Sequence, residues 1–368
     1  MDESSDVVGL TRDLVAVDSV NPGLVPGAAG EAGIVSALAA RLQRSGFTTT
    51  VVPAASGSDR PSLLAVPPAT STGPLVVLNG HLDTVGTAGM ADPFAASISE
   101  GRLRGRGAAD MKGGVAALVA AAERLVAQRA PVRPVLALVA DEEDASLGSE
   151  AVIAALPRLG LQPDACLIAE PTDLRVCDSL RGFALLRVAF SGRAAHSSQA
   201  DLGVNAVTHL GRFLHLVDRL APKIRQEGGD LMATRVAGGT SAFVVPDAAE
   251  CLVEVRTAPG RRVETALEAV RAGLDPQWAA QIEVLMQREA WRLDGSGPAA
   301  DLAARLDAQL AGGPRFDAPY WMEAPLWQAV APTAICGPSG GGLHAADEWL
   351  DLDQLERFTE ALIRVLAG

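Results

Sequence analysis

The chain has 368 residues, 48% of them apolar, and a formal charge of −13; it is long enough for two domains, one inserted in the other, each with its own core. The acidic balance argues against nucleic acid or an anionic membrane surface as partner, since both recruit basic patches, and it favours a neutral or cationic small molecule. The opening MDESSDVVGL is acidic and no apolar run approaches the length a bilayer requires, so a soluble, cytoplasmic protein is expected.

From Val7 to Gly46 apolar residues recur three and four apart, as in IVSALAARL, which predicts helix. TTTVVP then begins the strands, followed by LLAV (63–66), LVVL (75–78), VLALVA (135–140) and ACLIA (165–169), with a helix over 114–128 between them. Continuous apolar strands alternating with helices predict a mainly parallel sheet flanked by helices. After Arg181 the order becomes strand (FALLRVAF), helix (203–220), strands (231–237 and 249–256), helix (262–273) and strand (280–287). That β-α-β-β-α-β order predicts a ferredoxin-like α+β module. Helix and strand alternate again after Trp291, so the expected division is a discontinuous catalytic domain, 1–180 with 291–368, and an inserted domain over 181–290. Cys166, Cys177, Cys251 and Cys336 lack C-x-x-C spacing and read as small core residues.

The residues that carry chemistry stand where these strands and loops end. In LVVLNGHLDTV, His81 and Asp83 at i and i+2 project to one side of an extended backbone, so Asp83 can support the ring of His81. An H-x-D pair alone is also what a surface ion pair looks like. Asp110, in GRGAADMKGG, precedes a glycine pair and a long helix; a carboxylate there can bridge two cations or cap the helix. In VLALVADEED the buried strand runs into Glu142 and Glu143, whose side chains diverge, so one can ligate metal while the other faces water. Glu170 follows ACLIA in the same manner, and His344 follows a glycine-rich loop. Two such carboxylates 4 Å apart repel by about 4 kcal/mol at an effective dielectric of 20, so either some are protonated or divalent cations neutralise them. His and carboxylate ligation without thiolate suits zinc, with cobalt or manganese tolerated. Two such ions would acidify a water molecule and polarise a carbonyl, the chemistry of amide or ester hydrolysis.

GHLDTV, GRGAADMKGG, ADEED, AEPTDL, SGRAAHSSQADLGVNAV and GPSGGGLHAADEW, in this order, resemble the co-catalytic zinc deacylases and carboxypeptidases of the acetylornithine deacetylase, succinyl-diaminopimelate desuccinylase and glutamate carboxypeptidase type. AEPTDL and MEAPLWQAVAPTAICGPS look most like the acetylornithine deacetylase members. The resemblance implies a zinc-peptidase-like catalytic domain with an inserted lid and dimerisation domain. It also implies two divalent ions, one held by His81 and Glu170, the other by Glu143 and His344, with Asp110 between them. Glu142 would be the general base and Asp83 would orient His81. His196 would reach a partner subunit's site to stabilise the oxyanion, in a homodimer formed through the lid. Arg256 would take the substrate carboxylate, and Gly341 would border the substrate.

The chain departs from that pattern at Phe243, where relatives usually have Asn, at Met322, where Thr or Gly is common, and at Ser339, where G-P-G becomes GPS. With Tyr320, Trp321 and Trp327 near in sequence, an apolar substrate pocket or plain aromatic core packing would both fit. His209 and His215 match nothing functional and are expected on a helix surface. The function expected is removal of an N-acyl group from an amino acid or derivative. Alternatives are a dipeptidase or carboxypeptidase on the same site, or a non-catalytic binder of a small ligand.

Overall fold

A computed structural model describes residues 4–54, 59–87, 89–311 and 313–368. Met1–Glu3, the start of the acidic opening segment, lie outside the described residues. Two compact units form, one of Met1–Asp178, Leu293–Phe316 and Met322–Gly368, the other of Ser179–Arg292 with Asp317–Trp321. The last segment returns to the smaller unit because Trp321 packs edge-on against Phe183, ring centroids 6.0 Å apart, and donates its indole N–H to the Glu289 carbonyl.

The larger unit is built on a six-stranded sheet in the order Thr48–Pro53, Pro61–Val66, Arg133–Val139, Leu75–His81, Ala165–Ile168 and Thr333–Ile335. The last four run parallel, and the first two are antiparallel additions at one edge. Every residue of Leu75–His81 is buried, as expected for a central strand covered on both faces. His81 sits opposite Val139 in the parallel register. The chain therefore leaves the 75–81, 133–139 and 165–168 strands at the same edge of the sheet, where open α/β sheets assemble their sites.

The helical stretch expected from Val7 to Gly46 is in fact two helices, Ser4–Val15 and Ala32–Arg44. Between them Pro22 removes a backbone donor and Gly27 and Gly30 adopt positive φ, so no helix can continue. The break lets Val20 bridge Thr84 and brings Asn21 to the end of the central strand. Helix Gly113–Ala127 is Ala-rich and largely buried. Its glycine pair is there for close approach: a Cβ on Gly114 would lie 2.2 Å from the Ala169 carbonyl oxygen, immediately before Glu170.

The smaller unit is a four-stranded antiparallel sheet in the order Asp230–Gly238, Ala248–Thr257, Gly182–Ser191 and Ala280–Arg288, with helices Ala206–Gln226 and Val263–Ala272. Alternate residues of Ala248–Thr257 are buried, and Cys251, Val253 and Val255 form one core with Phe213, Leu216 and Leu267 of the helices. Both edge strands carry a bulge, between Ala233 and Arg235 and between Val284 and Met286, a common way to blunt an open sheet edge. His209 is not a surface residue: it is 9% exposed, and its Nδ1 lies 3.2 Å from the Trp278 carbonyl. The period-3.6 pattern places it on the buried stripe with Phe213 and Leu216, one turn apart. All four cysteines are buried, and none forms a disulfide among the described residues.

Replacing Gly114 with Ala is expected to lower the unfolding free energy by about 1–3 kcal/mol, the cost of overpacking a tight contact. Urea denaturation measures this, and an unchanged midpoint would show that the helix does not depend on that approach.

Candidate metal centre

His81 closes the central strand. The chain then turns: Leu82 donates its N–H to the Val139 carbonyl, and the Asp83 carbonyl comes within 3.0 Å of the His81 Nδ1. The carboxylate of Asp83 lies 3.6 Å from that nitrogen, and its hydrogen bonds go elsewhere. It accepts the N–H groups of Glu142 and Glu143, at 3.0 and 3.2 Å, and the side-chain amide of Asn21 at 2.7 Å. The backbone thus supports the ring in the way expected of the Asp83 side chain. With Nδ1–H donated to a carbonyl, Nε2 is the nitrogen turned toward the acidic residues.

Nε2 of His81 lies 3.1 Å from Asp110 Oδ1, while Nε2 of His344 lies 3.3 Å from Asp110 Oδ2 and 3.1 Å from Glu143 Oε2. The two oxygens of one carboxylate thus face two different imidazoles. The turn after Val139 that carries Glu142 and Glu143 includes Asp141 at positive φ. Potential ligand atoms of His81, Glu142 and Glu170 fall within 4.8 Å of one another, and so do those of His81, Asp110 and Glu143. All five expected metal ligands and Glu142 converge on one place in the larger unit.

Several residues hold this group without being obvious in the sequence. Glu348 is 1% exposed and accepts from Arg106 at 2.7 Å and from the backbone N–H groups of Gly107, Ala109 and Asp110, which fixes the loop that carries Asp110. Its signal was the acid in HAADEW. Asp141 is held by Arg60 at 2.9 Å and Asn21 at 3.1 Å, and Arg60 also grips Glu31. No sequence pattern pointed to Asn21. Glu323 is buried beside the group, accepting from Ser149 Oγ at 2.8 Å with its other oxygen unpartnered.

The remaining expected residues lie apart from this cluster in kind. Met322 is 3% exposed in the core of the larger unit, and Trp327 is fully buried there with its N–H on Ser149. Gly341 pairs with Trp349, whose indole a Cβ would meet at 2.7 Å. In the smaller unit, His196 is exposed and bridges Val244, and the N–H of Ser197 bonds the carbonyl of Phe243, which is 71% exposed. Arg256 is half-buried, ion-paired with Glu254 and stacked 5.1 Å from the Phe183 ring.

The model of peptidase family M20/M25/M40 matches residues 77–368. The chain belongs to that family. It is 33% identical to an N-acetyl-L-citrulline deacetylase of Xanthomonas campestris, with 96% of each chain covered. It is 30% identical to an acetylornithine deacetylase of Myxococcus xanthus, over 89% of this chain and 90% of the relative. Its fold is that of a tripeptidase from Staphylococcus aureus, with a TM-score of 0.82 at 17% identity over 99% of this chain and 98% of the other. An M20 chain of this kind is a metallohydrolase acting on amide bonds.

The electrostatics of the M20 centre call for cations. Burial and the neighbouring Glu170 hold Glu142 well above the usual carboxylate pKa, and burial pushes Glu170 up to about 8. Burial and the Asp110 charge raise Glu143, one of whose oxygens is buried without a partner. Hydrogen bonds to Asp110 and Glu143 carry His344 up to about 10. Burial opposes a charge on His81, yet the Asp110 hydrogen bond and the Glu170 and Glu142 carboxylates outweigh it and raise that ring well above the usual imidazole value. Protons thus stand where divalent cations would otherwise balance the charge, and an all-N,O donor set of this kind fits zinc, cobalt or manganese.

Two outcomes follow for the metal-free protein. Glu170 and Glu323 have folded-state pKa values of about 8, above the ordinary carboxylate value, so their stabilising contribution is full at acid pH and lost as pH rises through about 8. Thermal stability is therefore expected to fall between about pH 5 and 8 and to level when zinc is saturating; a profile that rises over this window would contradict the arrangement. Glu348→Ala leaves Arg106 buried without its partner and should cost about 3–5 kcal/mol in unfolding free energy, read by chemical denaturation together with a drop in bound zinc.

Proposed function

We propose that this chain removes an N-acyl group from an amino acid or a close derivative, using two divalent ions, zinc foremost. The observation that carries this reading is the Asp110 carboxylate directed at His81 through one oxygen and at His344 through the other. His81 and Glu170 would hold one ion, Glu143 and His344 the second, and Asp110 would serve both. Bound ions supply Lewis acidity toward a carbonyl oxygen and toward water. Glu142 accepts the proton lost by the attacking water at its carboxylate and returns it to the leaving nitrogen. Asp83 holds Glu142 and Glu143 in register through their N–H groups. The names of the deacetylase relatives support an N-acyl amino acid as substrate, and among the described residues no helix is long and apolar enough to cross a membrane.

The smaller unit supports a homodimer. Thr257 pairs with Gly182 at one end of its sheet and Ala248 pairs with Ser191 at the other, so Arg256 stands at the end opposite the His196 and Phe243 loops. Eight residues of strand span roughly 27 Å. One small substrate cannot reach both ends of one sheet, so if His196 and Arg256 both serve it, they come from different subunits. Exposed Val236, Phe243, Val244 and Leu202 offer apolar surface for that contact.

Glu142→Ala is expected to retain two zinc ions per chain by elemental analysis while turnover of N-acetyl amino acids falls by about 10³-fold or more; normal turnover would remove Glu142 from its role. A panel of N-acetyl and N-succinyl amino acids against dipeptides separates deacylase from peptidase, with the first group expected to be preferred in kcat/KM. Mixing inactive Glu142→Ala with inactive His196→Ala subunits should restore about a quarter of wild-type activity if random heterodimers form with one complete site each. No recovery, with exchange of subunits verified by mass, would place His196 in its own chain's site or outside catalysis.

A further inference from the structure

Glu142 rises from a turn whose backbone is held by one carboxylate, and a single neutral side chain joins that carboxylate to its neighbour. Asp83 and Asp141 stand at equivalent places, two residues beyond His81 and Val139, which are register partners on adjacent parallel strands. Both are buried, and carboxylates so placed repel one another. The side-chain nitrogen of Asn21 meets both acids, 2.7 Å from Asp83 Oδ2 and 3.1 Å from Asp141 Oδ1. One amide group thus gives a hydrogen to the acid at the end of each strand. Asp83 passes the constraint on: its Oδ1 accepts the Glu142 N–H at 3.0 Å and its Oδ2 the Glu143 N–H at 3.2 Å.

Asn21 is itself fixed on every side. Its backbone N–H bonds the Thr84 carbonyl at 2.9 Å and the Thr84 N–H bonds the Ser19 carbonyl at 3.1 Å, which ties it to the residue after Asp83. Its Oδ1 accepts the Gly23 N–H at 2.8 Å in an Asx turn, so a flipped amide would lose that bond and turn an oxygen toward two carboxylates. Gly23 keeps this turn tight: a Cβ there would lie 3.0 Å from Asn21 Oδ1 and 2.3 Å from Asp144 Oδ2. Asn21 is also fully buried, so it reaches the reaction only through the residues it touches. The route is short, from the amide to Asp83 and from Asp83 to the peptide that carries Glu142.

We propose that Asn21 is a positioning residue for the hydrolytic reaction, acting through Asp83 to set the direction from which Glu142 meets the attacking water. The inference rests on the reading of Glu142 as the base. A base displaced by a fraction of an ångström loses much of its effect, because proton transfer needs hydrogen-bond reach. The test measures hydrolysis of an N-acetyl amino acid by the full chain at saturating zinc, in wild type, Asn21→Ala, Asn21→Ser, Glu142→Ala and Asn21→Ser/Glu142→Ala. Asn21→Ser keeps an oxygen for the Gly23 turn but cannot span the two acids, so it separates the bridge from the turn and stands in should Asn21→Ala not fold. In the Asn21 single variants kcat is expected to fall by about 10–100-fold, the loss typical of residues that orient a metal site from behind, with a smaller change in KM and zinc content retained. On the residual rate of Glu142→Ala, adding Asn21→Ser should cost less than about twofold, since the group it positions is gone. General damage to the fold or the metal site would lower both backgrounds alike. An Asn21→Ser kcat within about twofold of wild type, or an equal loss with and without Glu142, overturns the inference alone. Normal turnover by Glu142→Ala would overturn the base itself and the inference with it.

Discussion

One carboxylate organises the larger unit. Asp110 faces His81 with one oxygen and His344 with the other, and these two histidines come from opposite ends of the matched family region. A carboxylate shared in this way places two imidazoles a fixed distance apart, and the acids that follow neighbouring strands close in around them. The gathering has no stable charge state of its own. It must carry extra protons or divalent cations, and the raised positions of Glu142, Glu143 and Glu170 express that demand.

What allows such a concentration of negative charge to fold is the way its outer layer uses backbone. Asp83 is fully buried, yet its carboxylate collects two main-chain N–H groups and the Asn21 amide. Glu348 collects three main-chain N–H groups and Arg106. Asp83 and Glu348 are thus satisfied largely by donors that cannot move independently of the fold. The ligands in front of them are the ones left with unpartnered oxygens, such as Glu143 Oε1. Acids that are satisfied by protein set the geometry, and acids that are not are available to a cation.

The strands were legible because buried parallel strands read as unbroken apolar runs, and each candidate ligand stood at the end of such a run or just before a glycine loop. The ferredoxin-like order was legible for the same reason, through the alternation in Ala248–Thr257. What was hidden has a common cause, namely contacts between residues remote in sequence with no periodic mark. Asn21 reaches Asp83 and Asp141 across 62 and 120 positions, and Glu348 reaches Arg106 across 242. The helix expected through Val7–Gly46 failed where local turn chemistry, Asn21-Pro22 with Gly27 and Gly30, overrode a broad apolar pattern. The i, i+2 spacing brings the Asp83 carboxylate to 3.6 Å from the His81 ring nitrogen, but its hydrogen bonds to the Glu142 and Glu143 N–H groups have no mark in the sequence.

The same distinction between packing and contact sorts the positions at which the chain departs from its family's pattern. Met322 is 3% exposed and Ser339 is 7% exposed, with the Ser339 N–H held by Gln354 Oε1 at 2.9 Å. These two are explained by the core around them. Phe243 differs in kind: it is 71% exposed on a loop whose backbone pairs with the segment carrying His196. A large aromatic ring left in solvent, where relatives usually place an amide, has no role in the packing of its own unit. The exposed ring thus lies outside the packing that fixes its own unit, while in the larger unit the acids and imidazoles around Asp110 are brought together by the fold itself.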